Sequence, residues 1–61
     1  MKRKELLRQL QAGGCESRRE GARHSVFYNP HNGKTSTVPR HAEIKDRLAA
    51  KILQDLGISG N

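Results

Sequence analysis

Tryptophan is missing from this 61-residue chain, which holds one phenylalanine, one tyrosine and one methionine. Aromatic side chains bury more area than any others, so their scarcity excludes a broad apolar core. Chains of this length bury only about 60% of their unfolded surface. Residues 1–61 therefore make one small domain. Such a domain gains stability from a partner that covers part of it, and its functional site is a shallow surface feature rather than a deep pocket. The single Cys15 has no internal disulfide partner, and one cysteine with scattered histidines supplies no zinc-ligand spacing. No metal and no cofactor is expected, and a reducing, cytoplasmic setting fits. Lys2, Arg3 and Lys4 are basic, but no apolar run of signal-peptide length follows and nothing approaches a membrane span. The protein is expected to stay where it is made. Acids are scarce too: six Asp and Glu face twelve Lys and Arg, a net charge of +6. The basic residues run from Lys2 to Lys51, so the positive field belongs to the whole domain and not to a tail. A polyanion is the natural partner, nucleic acid being the commonest; the plainer alternative is a cationic protein without such a ligand.

What is present has a clear order. In KRKELLRQLQAGG, Leu6, Leu7 and Leu10 recur at helical spacing and Gly13-Gly14 supplies a stop, with Lys4, Arg8 and Gln11 on the watery side. Cys15 to Glu20 is too polar to announce a strand by itself. It becomes one as the hairpin partner of Arg23 to Asn29, with Glu20-Gly21-Ala22 as the turn. Asn29-Pro30-His31-Asn32-Gly33-Lys34 is a second turn, and Thr35 to Val38 a β-branched third strand closed by Pro39. The final stretch, HAEIKDRLAAKILQDLGI, places Ile44, Leu48, Ala49, Ile52, Leu53 and Leu56 on one helical face. Glu43 and Asp46 stand near its start, with Glu43 set to pair with Arg47, and Gly57 ends it. The expected fold is α+β, in the order α-β-β-β-α. A three-stranded antiparallel sheet with both helices on one face buries every apolar stripe at once. Its core is expected to hold Leu6, Leu10, Leu48, Ile52 and Leu56. Double-stranded-RNA-binding domains have this layout, although a fold alone assigns no function.

The residue that raises a functional question is His24, at the mouth of the strand HSVFYN. A lone histidine on a strand is ordinarily a surface or structural residue. Here a glycine turn precedes it, which would let a large ligand approach, and Arg23, Arg18 and Arg19 can gather phosphate. No carboxylate pair or metal cluster offers a competing mechanism. One imidazole with several arginines can cleave RNA. A base takes the proton of a ribose 2′-hydroxyl, the oxygen attacks the adjacent phosphorus, and cations stabilise the developing charge. Histidine suits the task because an ordinary imidazole, with a pKa of ~6.5, is largely neutral at cellular pH.

The opening KRKELLRQLQAGGC, the G-x-x-H turn into HSVFYNP, the asparagine-glycine turn and TVPRHAEIKDRLAAKILQDLGI, in this order, resemble the HicA (YcfA-like) toxins of bacterial toxin–antitoxin pairs. The resemblance spans residues 2 to 58. It implies a double-stranded-RNA-binding-domain-like fold, mRNA interferase activity (an endoribonuclease acting on mRNA) and inhibition by a cognate acidic HicB-like antitoxin that covers His24. It also implies that DNA is met only indirectly, through the antitoxin. The family's catalytic histidine follows its glycine-rich turn, and His24 occupies that position here. Many relatives carry a second glycine or a serine in the turn, whereas this chain has Ala22 and Arg23.

Arg18, Arg19, Arg23, Lys34 and Arg40 are the candidate RNA contacts, Arg40 being equally suited to a salt bridge. His31 is expected to be plain surface, and His41 to act structurally at the start of the last helix rather than as an acid. Tyr28 is expected to pack first and to stack on bases second. Lys45, Arg47 and Lys51 belong to a solvated helix face. Strand parity groups His24 with Val26 and Tyr28 against Ser25 and Phe27; both sets are mixed, so the wet face is left open. A non-catalytic RNA-binding module of the same fold is the alternative function, and a DNA-binding accessory protein a more distant one.

Overall fold

The computed structural model describes residues 1–58, which form α1 (Arg3–Ala12), β1 (Glu16–Glu20), β2 (His24–Asn29), β3 (Lys34–Pro39) and α2 (Asp46–Asp55). The three strands form an antiparallel sheet in the order β1-β2-β3. This is the expected α-β-β-β-α arrangement.

Along β2, Ser25, Phe27 and Asn29 are buried, while His24, Val26 and Tyr28 fall on the opposite face. That alternation is the two-residue period of a strand with one covered side. One apolar cluster joins Leu6 and Leu10 of α1, Phe27, Val38, and Ala49, Ile52 and Leu56, so both helices lie on the Ser25–Phe27–Asn29 side. The wet face is therefore the one that carries His24. All five residues of β1 are exposed, because the helices cover β2 and β3 and leave this edge strand uncovered.

α1 ends as its glycines dictate. Gly14 sits in the left-handed region at φ 88°, and the Cys15 N–H turns back to the Leu10 carbonyl at 2.9 Å.

The last helix differs from expectation at its start. Residues 42–44 are extended and run antiparallel to the N-terminal residues. The Arg3 N–H donates to the Ala42 carbonyl at 2.9 Å, and the Ile44 N–H to that of Met1 at 2.8 Å. Ile44 is thus buried from an extended segment and does not set the phase of α2. The helix takes its phase from Ala49, Ile52 and Leu56, which turns Leu48 outward, 39% exposed. Leu48 is not a core residue. Glu43, also outside the helix, bonds the Met1 ammonium at 3.0 Å in place of Arg47. The i,i+4 pair that α2 does form is Lys51 with Asp55, at 3.0 Å.

The other end of α2 is fastened by the β2–β3 turn. The Leu56 carbonyl accepts from Asn29 Nδ2 at 2.7 Å and from Asn32 Nδ2 at 3.1 Å, while Asn29 Oδ1 accepts the His31 N–H at 2.9 Å. A buried asparagine inside an apolar cluster needs such partners, and Asn29 is only 4% exposed. No helix among the described residues is long and apolar enough to cross a membrane.

Candidate functional site

The β1–β2 turn is closed by a bond from the Gly21 N–H to the His24 carbonyl, 2.8 Å long. A Cβ built on Gly21 would stand 2.9 Å from that same oxygen. The glycine is there because the start of β2 crowds it, and any side chain would force the turn open.

Arg40 buttresses the turn from the strand opposite. Its N–H donates to the Arg23 carbonyl at 3.2 Å. Its guanidinium donates to Glu20 Oε1 at 2.8 Å and to the Gly21 carbonyl at 3.2 Å. Glu20 is fixed in turn by the hydroxyls of Ser17, at 2.7 Å, and Ser25, at 2.8 Å. Ser25 is fully buried, and its oxygen also accepts from Arg3 at 3.1 Å, while Arg3 Nε reaches the Pro39 carbonyl at 2.8 Å. The hydrogen bonds from Ser17 and Ser25, with smaller help from the charges of Arg40 and Arg3, hold the Glu20 carboxyl below its ordinary value. A chain of polar contacts thus runs from α1 through the sheet to the turn.

In front of this support lies an open cleft of about 520 Å³, lined by Ala22, Arg23, His24, Arg40 and His41. All five are exposed. His24 pairs directly with Pro39 across the sheet, so the chain leaving β3 carries Arg40 and His41 past the imidazole. The cleft unites one cationic wall with two histidines.

The other candidates are more dispersed. Arg19 pairs with Val26, two positions from His24 on the same face. Between Ser17 and Arg19 the register slips, and the extra residue, Arg18, lays its guanidinium carbon 4.1 Å from the centre of the Tyr28 ring. A bulge re-aims side chains in this way. Tyr28 is four positions along β2 from His24, about 13 Å at the usual strand rise. Lys34 pairs with Asn29 at the far end of β2. His31 also belongs to that end, its Nε2 lying 2.8 Å from where a Cβ on Gly14 would be.

His41 departs from expectation. The helix begins only at Asp46, so His41 has no place in its first turn and lines the cleft instead. Sequence reasoning also missed the roles of Arg3, Ser25 and Glu20, which it named only as a basic residue, a strand residue and a turn residue. The available signal was pairing: in a hairpin with this turn, Glu20 and Ser25 face each other. Among the described residues no three His, Cys, Asp or Glu side chains converge as a metal site.

The family described as HicA toxin of bacterial toxin-antitoxin matches residues 3–58. No curated protein and no solved structure matches the chain.

Proposed function

The chain belongs to the HicA toxin family of bacterial toxin–antitoxin systems, and we propose that it acts as an endoribonuclease on mRNA in the cytoplasm, with His24 as its base. The observation that carries this reading is the convergence of an exposed imidazole with Arg23 and Arg40 in one open cleft. His24 takes the proton from a ribose 2′-hydroxyl, and that oxygen attacks the neighbouring phosphorus. Arg23 and Arg40 meet the charge that grows on the phosphoryl oxygens. The attacking group belongs to the substrate, so the reaction needs no metal-bound water, and DNA, which lacks the hydroxyl, is left uncut.

Binding follows from the same charges. Arg19 continues the cationic path along the open sheet face, Arg18 serves farther along it, and Lys34 extends it at the distal end; together with Arg23 and Arg40 they hold phosphates. The +6 charge of the chain suits an acidic antitoxin of the HicB type laid over the cleft, covering His24, and such an association weakens as salt rises.

The test is incubation of the purified protein with mRNA in the presence of EDTA. Strand scission in chelator is the expected result. Tight binding without products would make the chain an RNA-binding module and defeat the enzymatic reading.

A further inference from the structure

A base at one end of an RNA cleavage reaction leaves a second proton unaccounted for. When the 2′-oxygen bonds to phosphorus, the bond from phosphorus to the 5′-oxygen breaks and its electron pair goes to that oxygen. An alkoxide is a poor leaving group, so an acid that protonates it as it departs speeds the step, and help of this kind is worth ~10²- to 10⁴-fold. Resting on the ribonuclease reading above, we infer that His41 is this acid.

The cleft has few candidates for the role. Its lining consists of Ala22, Arg23, His24, Arg40 and His41. A guanidinium keeps its protons at any cellular pH, so neither arginine is an effective proton donor, and alanine has none to give. Glu20 stands behind the cleft with its oxygens taken by Ser17, Ser25 and Arg40. Its carboxyl is held below the ordinary range, which makes it a worse acid reservoir at neutral pH. His41 is left as the group whose type can be protonated and can also give the proton up near neutrality.

The backbone puts it at a suitable reach. His24 and Pro39 are direct cross-strand partners, and His41 follows Pro39 by two residues. The ladder is carried one step further by the Arg40 N–H, which donates to the Arg23 carbonyl at 3.2 Å, and the next residue, His41, lines the same cleft as His24. Two imidazoles lining one cleft can stand on opposite sides of one phosphodiester, while Arg23 and Arg40, which line it too, meet the phosphoryl oxygens between them. Arg40 is held by Glu20 and by the Gly21 carbonyl, so the segment carrying His41 is anchored one residue away.

The step balances. His24 gains the 2′-hydroxyl proton, His41 loses one to the 5′-oxygen, and the products are a 2′,3′-cyclic phosphate and a free 5′-hydroxyl. Exchange with water then restores both imidazoles.

The experiment uses two RNA oligonucleotides of one sequence that the protein cleaves, the second with sulfur replacing the 5′-bridging oxygen at the cleaved linkage. A thiolate leaves without being protonated, since thiols are far stronger acids than alcohols. His41→Ala should cleave the oxygen substrate ~10²-fold or more slower than the wild type and cleave the sulfur substrate at close to the wild-type rate. His24→Ala should be slow on both. An undiminished rate for His41→Ala on oxygen RNA would overturn the assignment, and so would equal slowing on both substrates, which marks a binding or structural role. Rescue of His24→Ala in place of His41→Ala would exchange the two roles and overturn it as well. Absence of cleavage by the wild-type protein would instead defeat the ribonuclease reading on which the inference rests.

Discussion

β2 carries a turn at each end, with a histidine at each, His24 opening the strand and His31 in the turn after it, yet the two ends do different work. At the distal end Asn29 and Asn32 turn their amides onto the Leu56 carbonyl, and His31 rests beside Gly14. The polar groups there are used to close the molecule. At the proximal end the closing is done from behind, by Glu20, Ser25, Arg3 and Arg40, and His24 and His41 are left exposed in front. His31 is exposed as well, so what separates the two ends is the company each histidine keeps: Gly14 at one, Arg23, Arg40 and His41 at the other.

Substitution of one residue at each end sharpens the contrast. The largest effect is expected from His24→Ala, a loss of RNA cleavage of ~10²- to 10⁴-fold and, with it, of growth inhibition. Thermal melts should be little changed, because an exposed strand-end imidazole adds nothing to the apolar cluster. A melt that collapses in this variant would turn the proximal end into a second packing end and dissolve the comparison.

The distal counterpart is Asn29→Ala. It removes two hydrogen bonds, one to the Leu56 carbonyl, which keeps its bond from Asn32, and one from the His31 N–H, at a cost of about 1–3 kcal/mol, and for a domain of this size each kcal/mol lowers the midpoint of melting by roughly 4–8 °C. Cleavage per folded molecule should be unchanged. Activity lost without a change in melting would mean that the distal turn takes part in the chemistry.

The smallest effect concerns the support behind the cleft. Glu20 has its carboxyl lowered in the folded state by the hydroxyls of Ser17 and Ser25. A group depressed on folding stabilises above its ordinary value, here 4.5, and loses that contribution as pH falls through the depressed folded value. Glu5, lowered chiefly by its hydrogen bond from Arg8, acts in the same direction. Wild-type protein should therefore melt progressively lower as the solution is acidified below about pH 4.5, and Glu20→Gln should show a shallower dependence. Because Glu20 is exposed, water screens much of the effect. Identical pH dependence in the two proteins would show that the carboxylate network does not hold the turn.

Part of the site could be seen in the sequence and part could not. The G-x-x-H turn and the adjacent arginine lie within a few residues of each other, so His24 and Arg23 were visible as a pair. Arg40 was half visible: a cation next to Pro39 suits either a phosphate or an ion pair, and its bonds to Glu20 and Gly21 depend on a strand pairing that its neighbours do not encode. His41 was misplaced because the periodic reading carried the last helix back through Ile44. The same error of phase put Leu48 in the core. An apolar residue four positions before another is helical only if the chain between them is helical, and here residues 42–44 pair with the N-terminal residues.

The local chemistry of the chain determined its element order, its turns and its class. Leucines at helical spacing, β-branched runs bounded by proline, and left-handed glycines at 14, 33 and 57 each act over a few residues, so they can be read in place. Tertiary structure decided which face of the sheet stays wet, where the last helix begins, and which charged side chains support the fold and which face solvent. Both faces of β2 carry mixed side chains, so the choice between them was settled by where Leu6, Leu10, Ile52 and Leu56 could pack together. Packing of that kind joins residues far apart in the chain, and no short window of sequence contains it.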